Sequence, residues 1–76
     1  MQEIKIRDEY IKLGQAMKLS GVAQSGLEAK EYIVKGEVKV NGQTELQRGK
    51  KLYEGDVFLY KENEYKIKSS MTENKV

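Results

Sequence analysis

The sequence predicts an α+β domain: two short packed helices followed by a small, largely antiparallel sheet, with a further strand at the N-terminus. Three observations carry this expectation. The apolar spacing switches from period two to a helical period near residue 11 and returns to period two after Gly36. Ser25-Gly26-Leu27-Glu28 reads as a capping box at the start of a helix. Asn41-Gly42 separates two extended runs, and Asn-Gly is the strongest short hairpin signal because a type I′ turn needs positive φ at both central residues. A length of 76 residues allows one small domain with a thin core.

Residues 2–7 alternate, with Ile4 and Ile6 on one face and Glu3, Lys5 and Arg7 on the other, as in a short strand. Asp8-Glu9-Tyr10 breaks that period. From Ile11 onward Leu13, Ala16 and Met17 form a helical stripe, which Gly21 is placed to stop. In the second helix, expected over residues 26–35, the Ser25 hydroxyl accepts from the Glu28 amide and the Glu28 carboxylate reaches back to the Ser25 amide. Ala29, Tyr32 and Ile33 supply its apolar stripe, and Gly36 follows as the left-handed cap. Glu37-Val38-Lys39-Val40 then alternates charge with valine, and residues 43–47 form the return strand of the hairpin. Arg48-Gly49-Lys50-Lys51 is a basic loop, and Glu54-Gly55-Asp56 is a turn. Residues 57–60 form a strongly apolar strand, and Glu62-Asn63 turns into a last strand over residues 64–68. The domain is therefore expected over residues 1–68, with residues 69–76 as a flexible polar tail.

Composition excludes most catalytic chemistry. There is no Cys and no His, so neither Ser-His nor Cys-His nucleophilic constellations are available, and the commonest general base and metal ligands are missing. The adjacent carboxylates Asp8-Glu9 and Glu54/Asp56 fall in turns, where acids form turns and caps. No phosphate loop and no calcium-loop spacing occurs. The expectation is a protein that is not an enzyme, with no catalytic residues, no metal, no cofactor and no small-molecule substrate. No apolar run approaches the length of a membrane span, and the N-terminal residues lack the apolar core of a signal peptide. A cytoplasmic monomer is the expected state.

The net charge is +2, but it is unevenly placed. Residues 12–51 hold eight basic and four acidic residues, a local excess of +4, while both flanking segments are slightly acidic. A localised basic region is the electrostatic footprint of a phosphate binder.

The stretch from Lys12-Leu13-Gly14 to Gly55-Asp56 resembles the S4-type RNA-binding domain, also called the alpha-L motif. Leu13, Met17, Gly21, Ser25, Glu28-Ala29-Lys30, Ile33, the run Gly36-Glu37-Val38-Lys39-Val40-Asn41-Gly42, and Gly55-Asp56 carry the resemblance. It is similar to the small stand-alone bacterial version, with Arg48-Gly49-Lys50-Lys51 as its basic loop. The resemblance implies structured RNA as the partner, bound through phosphate and shape, with ribosomal RNA or a ribosomal particle foremost. Many members begin the first helix with Arg-Leu-Asp and the second with Ser-Arg, where this chain has Lys12-Leu13-Gly14 and Ser25-Gly26. The positions available for RNA contact are Lys12, Lys18, Ser25, Gly26, Lys30, Lys39, Asn41, Arg48, Lys50 and Lys51.

Some of these have a structural alternative. Ser25 caps a helix whatever the function, and Asn41 has a turn to form. Tyr10, Tyr32, Tyr53, Tyr60 and Tyr65 could stack on bases, but their stripe positions favour the core. Lys50-Lys51 has no structural duty, and two adjacent lysines gain from a phosphate partner. One rival reading is a protein-interaction module offering residues 4–6 or 57–60 as a free strand edge. Another is a tRNA-associated or nascent-chain quality-control factor, which would share the RNA chemistry.

Overall fold

The computed structural model describes residues 1–73. Strands β1 (Gln2–Ile6) and β2 (Tyr10–Lys12) lead into helices α1 (Leu13–Ser20) and α2 (Gly26–Val34). Strands β3 (Val38–Val40), β4 (Gln43–Thr44), β5 (Lys51–Tyr53), β6 (Val57–Tyr60) and β7 (Asn63–Ser69) follow, and a short helix α3 (Ser70–Glu73) ends the described chain. The five-stranded sheet has the order β1-β7-β6-β3-β4, and β2 pairs with β5 in a separate two-stranded sheet. The fold is α+β, as the periodicity predicts. No helix of the described residues is long and apolar enough to cross a membrane.

Alternation sets the inner face. Val38 and Val40, Phe58 and Tyr60, and Tyr65 and Ile67 are buried on one side of the sheet. Leu13, Ala16 and Met17 of α1 and Ala29 and Ile33 of α2 belong to the same core. β1 closes the far edge in parallel with β7, with Ile4 opposite Ile67, so the sheet is mixed there and antiparallel elsewhere. A parallel pair needs a long crossover, and here both main helices and the meander lie between its strands. The run over residues 57–60 is an interior strand between β7 and β3. It therefore offers no free edge.

α2 is bounded by local chemistry. The Glu28 amide donates to the Ser25 hydroxyl at 3.1 Å, while the Glu28 carboxylate accepts from the Gln24 amide at 2.8 Å, one residue earlier than the usual capping box. At the other end the Gly36 amide bonds the Ile33 carbonyl and the Glu37 amide bonds the Tyr32 carbonyl, a Schellman motif.

α1 is bounded differently. The helix starts at Leu13 and not near Ile11, and Lys12 at its N-cap makes no side-chain cap. The Leu13 amide donates to the Lys50 carbonyl at 2.8 Å, and the Gly14 amide to the Arg48 carbonyl at 3.0 Å. Two of the orphan amides of this helix end are thus satisfied by a loop more than thirty residues away in sequence. Residues 10–12 are held extended against β5, so Lys51 lies on a strand and not in the basic loop.

The hairpin and the later Gly-Asp turn are clipped together. Asn41, at φ 51°, donates through Nδ2 to Asp56 Oδ1 at 3.1 Å, and its Oδ1 accepts from the Val57 amide at 3.0 Å. Asp56 Oδ2 accepts from the Tyr53 amide at 2.7 Å. Asn41→Ala and Asp56→Ala are each expected to cost about 1–2 kcal/mol in urea denaturation. The double variant should cost less than the two together, because they share one bond.

The last strand runs through Ser69, which the sequence reading assigns to the tail. Ser69 is fully buried, and its hydroxyl donates to the Asp8 carbonyl at 2.7 Å. Its amide donates to Glu54 Oε1, and Glu54 Oε2 lies 3.2 Å from Lys68 Nζ. The Ser69 amide first, and the Lys68 ammonium second, hold the Glu54 carboxyl below the usual carboxylate range. A depressed folded-state pKa contributes stability that is present above the unfolded value, about 4.3, and is lost as pH falls through the folded value. Glu54→Gln should therefore flatten the acid limb of the stability–pH curve below about pH 5. An unchanged acid limb would separate Glu54 from acid unfolding. Residues 70–73 are helical, and the rest of the expected tail, residues 74–76, lies outside the described residues.

Candidate nucleic-acid interface

α1, α2 and the loop before β5 meet around a shallow groove of about 360 Å³, lined by Lys12, Gly14, Gln15, Lys18, Gly26, Arg48 and Gly49. Lys12, Gln15 and Lys18 recur every third residue, which brings them to one side of α1. Gly26 contributes the first turn of α2. Arg48 is drawn in by the backbone bonds that cap α1. Three cations from two segments of chain, Lys12 and Lys18 of the α1 region and Arg48 of the distant loop, thus converge on one depression.

Gly14 permits the convergence. A Cβ at this position would stand 2.6 Å from Arg48 Cγ and 3.2 Å from Cδ, so any larger residue pushes the arginine stem away. The absent side chain at the position where the resemblance leads one to expect Asp makes room for Arg48 against α1.

The remaining candidate residues divide. Ser25 sits at the groove's edge, with its hydroxyl engaged as the α2 cap. Lys30 is exposed one turn beyond Gly26 on the same helix and is the one cation of α2. Lys50 is exposed, and its carbonyl holds α1. Lys51 lies directly opposite Lys12 across the β2–β5 ladder, with Nζ 4.7 Å from the centre of the Tyr10 ring. Lys39 is elsewhere: Val38 and Val40 point into the core, so Lys39 between them projects from the outer face of the sheet, beside Leu59. Asn41 is occupied by its bonds to Asp56 and Val57.

The tyrosines also divide. Tyr60 and Tyr65 are buried; Tyr65 stacks on Phe58 at 5.0 Å between ring centres. Tyr32 stacks on Tyr60 at 4.5 Å, and its hydroxyl is pushed up to about 12 by burial and by the Tyr60 hydroxyl. Tyr10 and Tyr53 face each other on the outer side of the two-stranded sheet.

Gln15 and Gly49 line the groove although residue type alone does not single them out. The three-residue spacing from Lys12 to Lys18 is the signal that includes Gln15. Gly49 is reached only through the loop's contact with α1. Chemically, the groove can accept anionic oxygens from several directions, which suits the phosphates of a folded polynucleotide.

Known proteins match both the sequence and the fold. The S4 domain family model matches residues 4–68. A protein of Bacillus subtilis (strain 168) described as probable ribosome maturation protein RlbA is 50% identical over 54 residues, which is 71% of this chain and 76% of its own length. The solution structure of YbcJ from E. coli, described as revealing an alfaL motif involved in RNA-binding, aligns with a TM-score of 0.69 at 26% identity. That alignment covers 90% of this chain and 87% of YbcJ.

Proposed function

The chain belongs to the S4 domain family, and from that premise we propose that it is a non-enzymatic RNA-binding protein of ribosome maturation, acting on ribosomal RNA within a ribosomal particle. The observation that carries this reading is the convergence of Lys12, Lys18 and Arg48 on one groove. Their charges take backbone phosphates, with Lys30, Lys50 and Lys51 extending contact along the strand. Such contacts position the protein by RNA shape and carry no base sequence directly. The ribosomal target is supported by the similarity to the Bacillus subtilis protein described as probable ribosome maturation protein RlbA. The absence of His and Cys from the sequence is in keeping with a binding role.

Four to six phosphate contacts give a salt slope of about −3 to −5, so affinity should fall roughly 60- to 1,000-fold between 50 and 200 mM salt. The test is co-sedimentation of tagged protein with ribosomal particles at low and high salt, with and without ribonuclease. Association that weakens with salt and disappears with ribonuclease supports the reading. Free protein at the top of a low-salt gradient would overturn the ribosomal assignment, and failure to shift any structured RNA would overturn RNA binding itself.

Gly14→Ala gives a narrower test. Ala favours the helix by up to about 1 kcal/mol, so stability should hold within that margin. RNA affinity should nevertheless fall roughly 5- to 8-fold at 0.1 M salt, the value of one displaced phosphate contact. Unchanged affinity in a filter-binding titration would remove Arg48 from the interface.

A further inference from the structure

The two-stranded sheet has an outer face that the phosphate groove does not explain. Tyr10 lies opposite Tyr53, and Lys12 opposite Lys51, so two aromatics and two cations share one side while Leu52 is buried on the other. The Tyr rings are 5.7 Å apart between centres and tilted by 48°, and Tyr53 is 41% exposed. Like charges directly opposite each other in a ladder destabilise it unless an anion lies between them. Lys51 relieves part of this by resting over the Tyr10 ring. Lys12 belongs both to this face and to the groove, so the aromatic pair and the phosphate site are continuous.

Resting on the RNA-binding reading, we propose that this face receives one unpaired nucleotide of the bound RNA: its base stacks on Tyr53, beside Tyr10, and its phosphate lies between Lys12 and Lys51. Aromatic stacking is tolerant of base identity, since every base has a π-face, so the preference is for an extruded or single-stranded residue and not for a sequence. A base paired inside a helix has both its faces occupied by its neighbours and cannot lie on the ring. The target is therefore a helix interrupted by a bulge or ending in a loop, with the flanking phosphates running into the groove. Asp8, which lines the neighbouring surface with Tyr10 and Lys12, disfavours a second phosphate on that side and orients the strand towards Lys18 and Arg48.

The experiment compares two loop-free RNA duplexes that differ only in a single bulged 2-aminopurine, read by fluorescence anisotropy and by quenching of the 2-aminopurine. Wild-type protein is expected to bind the bulged duplex roughly 10-fold or more tightly than the fully paired one, with quenching on binding. Tyr53→Ala should abolish both the preference and the quenching, binding the two duplexes alike, and Tyr53→Phe should retain both. Equal binding of the two duplexes by wild-type protein, or an equal loss on both duplexes in Tyr53→Ala, overturns the stacking site while leaving the phosphate groove intact. Binding to neither duplex overturns the RNA reading on which it rests. Far-UV circular dichroism of the alanine variant, whose ring is solvent-exposed, separates loss of the site from loss of the fold, and Tyr10→Ala repeats the comparison from the opposite strand.

Discussion

Replacing Lys12, Lys18 and Arg48 together by glutamine is expected to lower affinity for structured RNA roughly 100- to 500-fold at 0.1 M salt. Each phosphate contact contributes about 0.7–0.9 to the slope of log affinity against log salt, so the triple variant should also flatten that slope by about 2–3. Stability should barely change, because none of the three side chains belongs to the buried core. The diagnostic outcome is the paired loss of affinity and slope in a binding titration over several salt concentrations. Lower affinity with an unchanged slope would mean that these residues shape the surface without touching phosphate. Lys39→Gln serves as the control: it removes the same charge from the outer face of the sheet. Its effect should fall within about 2-fold, the scale of screened long-range attraction.

Phe58→Ala is expected to carry the largest stability loss, about 3–5 kcal/mol. Phe58 is fully buried on an interior strand and stacks on Tyr65 with an interplanar angle of 21°. A domain of this length has about 4–11 kcal/mol in total, so the variant should lose a large share of its stability. Phe58→Leu keeps most of the buried volume and should cost under about 1.5 kcal/mol. Chemical denaturation followed by circular dichroism distinguishes them. A loss below about 1 kcal/mol for the alanine variant would show that the core repacks around β6.

The elements that could be read from the sequence are those whose boundaries are written in adjacent residues. Ser25 and Gly36 delimit α2 because cap and stop act within a turn of the helix they bound. Asn41-Gly42 announces its turn because few other residues adopt positive φ cheaply. The start of α1 is not local. It depends on carbonyls of Arg48 and Lys50, and the same pairing that supplies them holds residues 10–12 as a strand. A helical stripe beginning at Ile11 cannot reveal a partner so far along the chain.

The interface divides in the same way. The spacing of Lys12, Gln15 and Lys18 is visible in the sequence, whereas the approach of Arg48 depends on the missing side chain of Gly14. The position of Lys39 was legible: if Val38 and Val40 face inward, alternation puts Lys39 outside. For the tyrosines, stripe position alone does not separate the buried Tyr60 and Tyr65 from the outward pair, because β2 and β5 are the elements that local pattern leaves unmarked.

The parallel pairing of β1 with β7 sets an order of events during synthesis. The ribosome makes β1 first and β7 last among the strands, so Ile4 waits in solvent until its partner Ile67 exists. The helices and the β3–β4 hairpin join residues close in sequence and can form early. The closing step instead joins segments about sixty residues apart, and its rate should limit folding. Until that step, the β1 segment is an unsatisfied strand that a chaperone or another nascent chain can pair with.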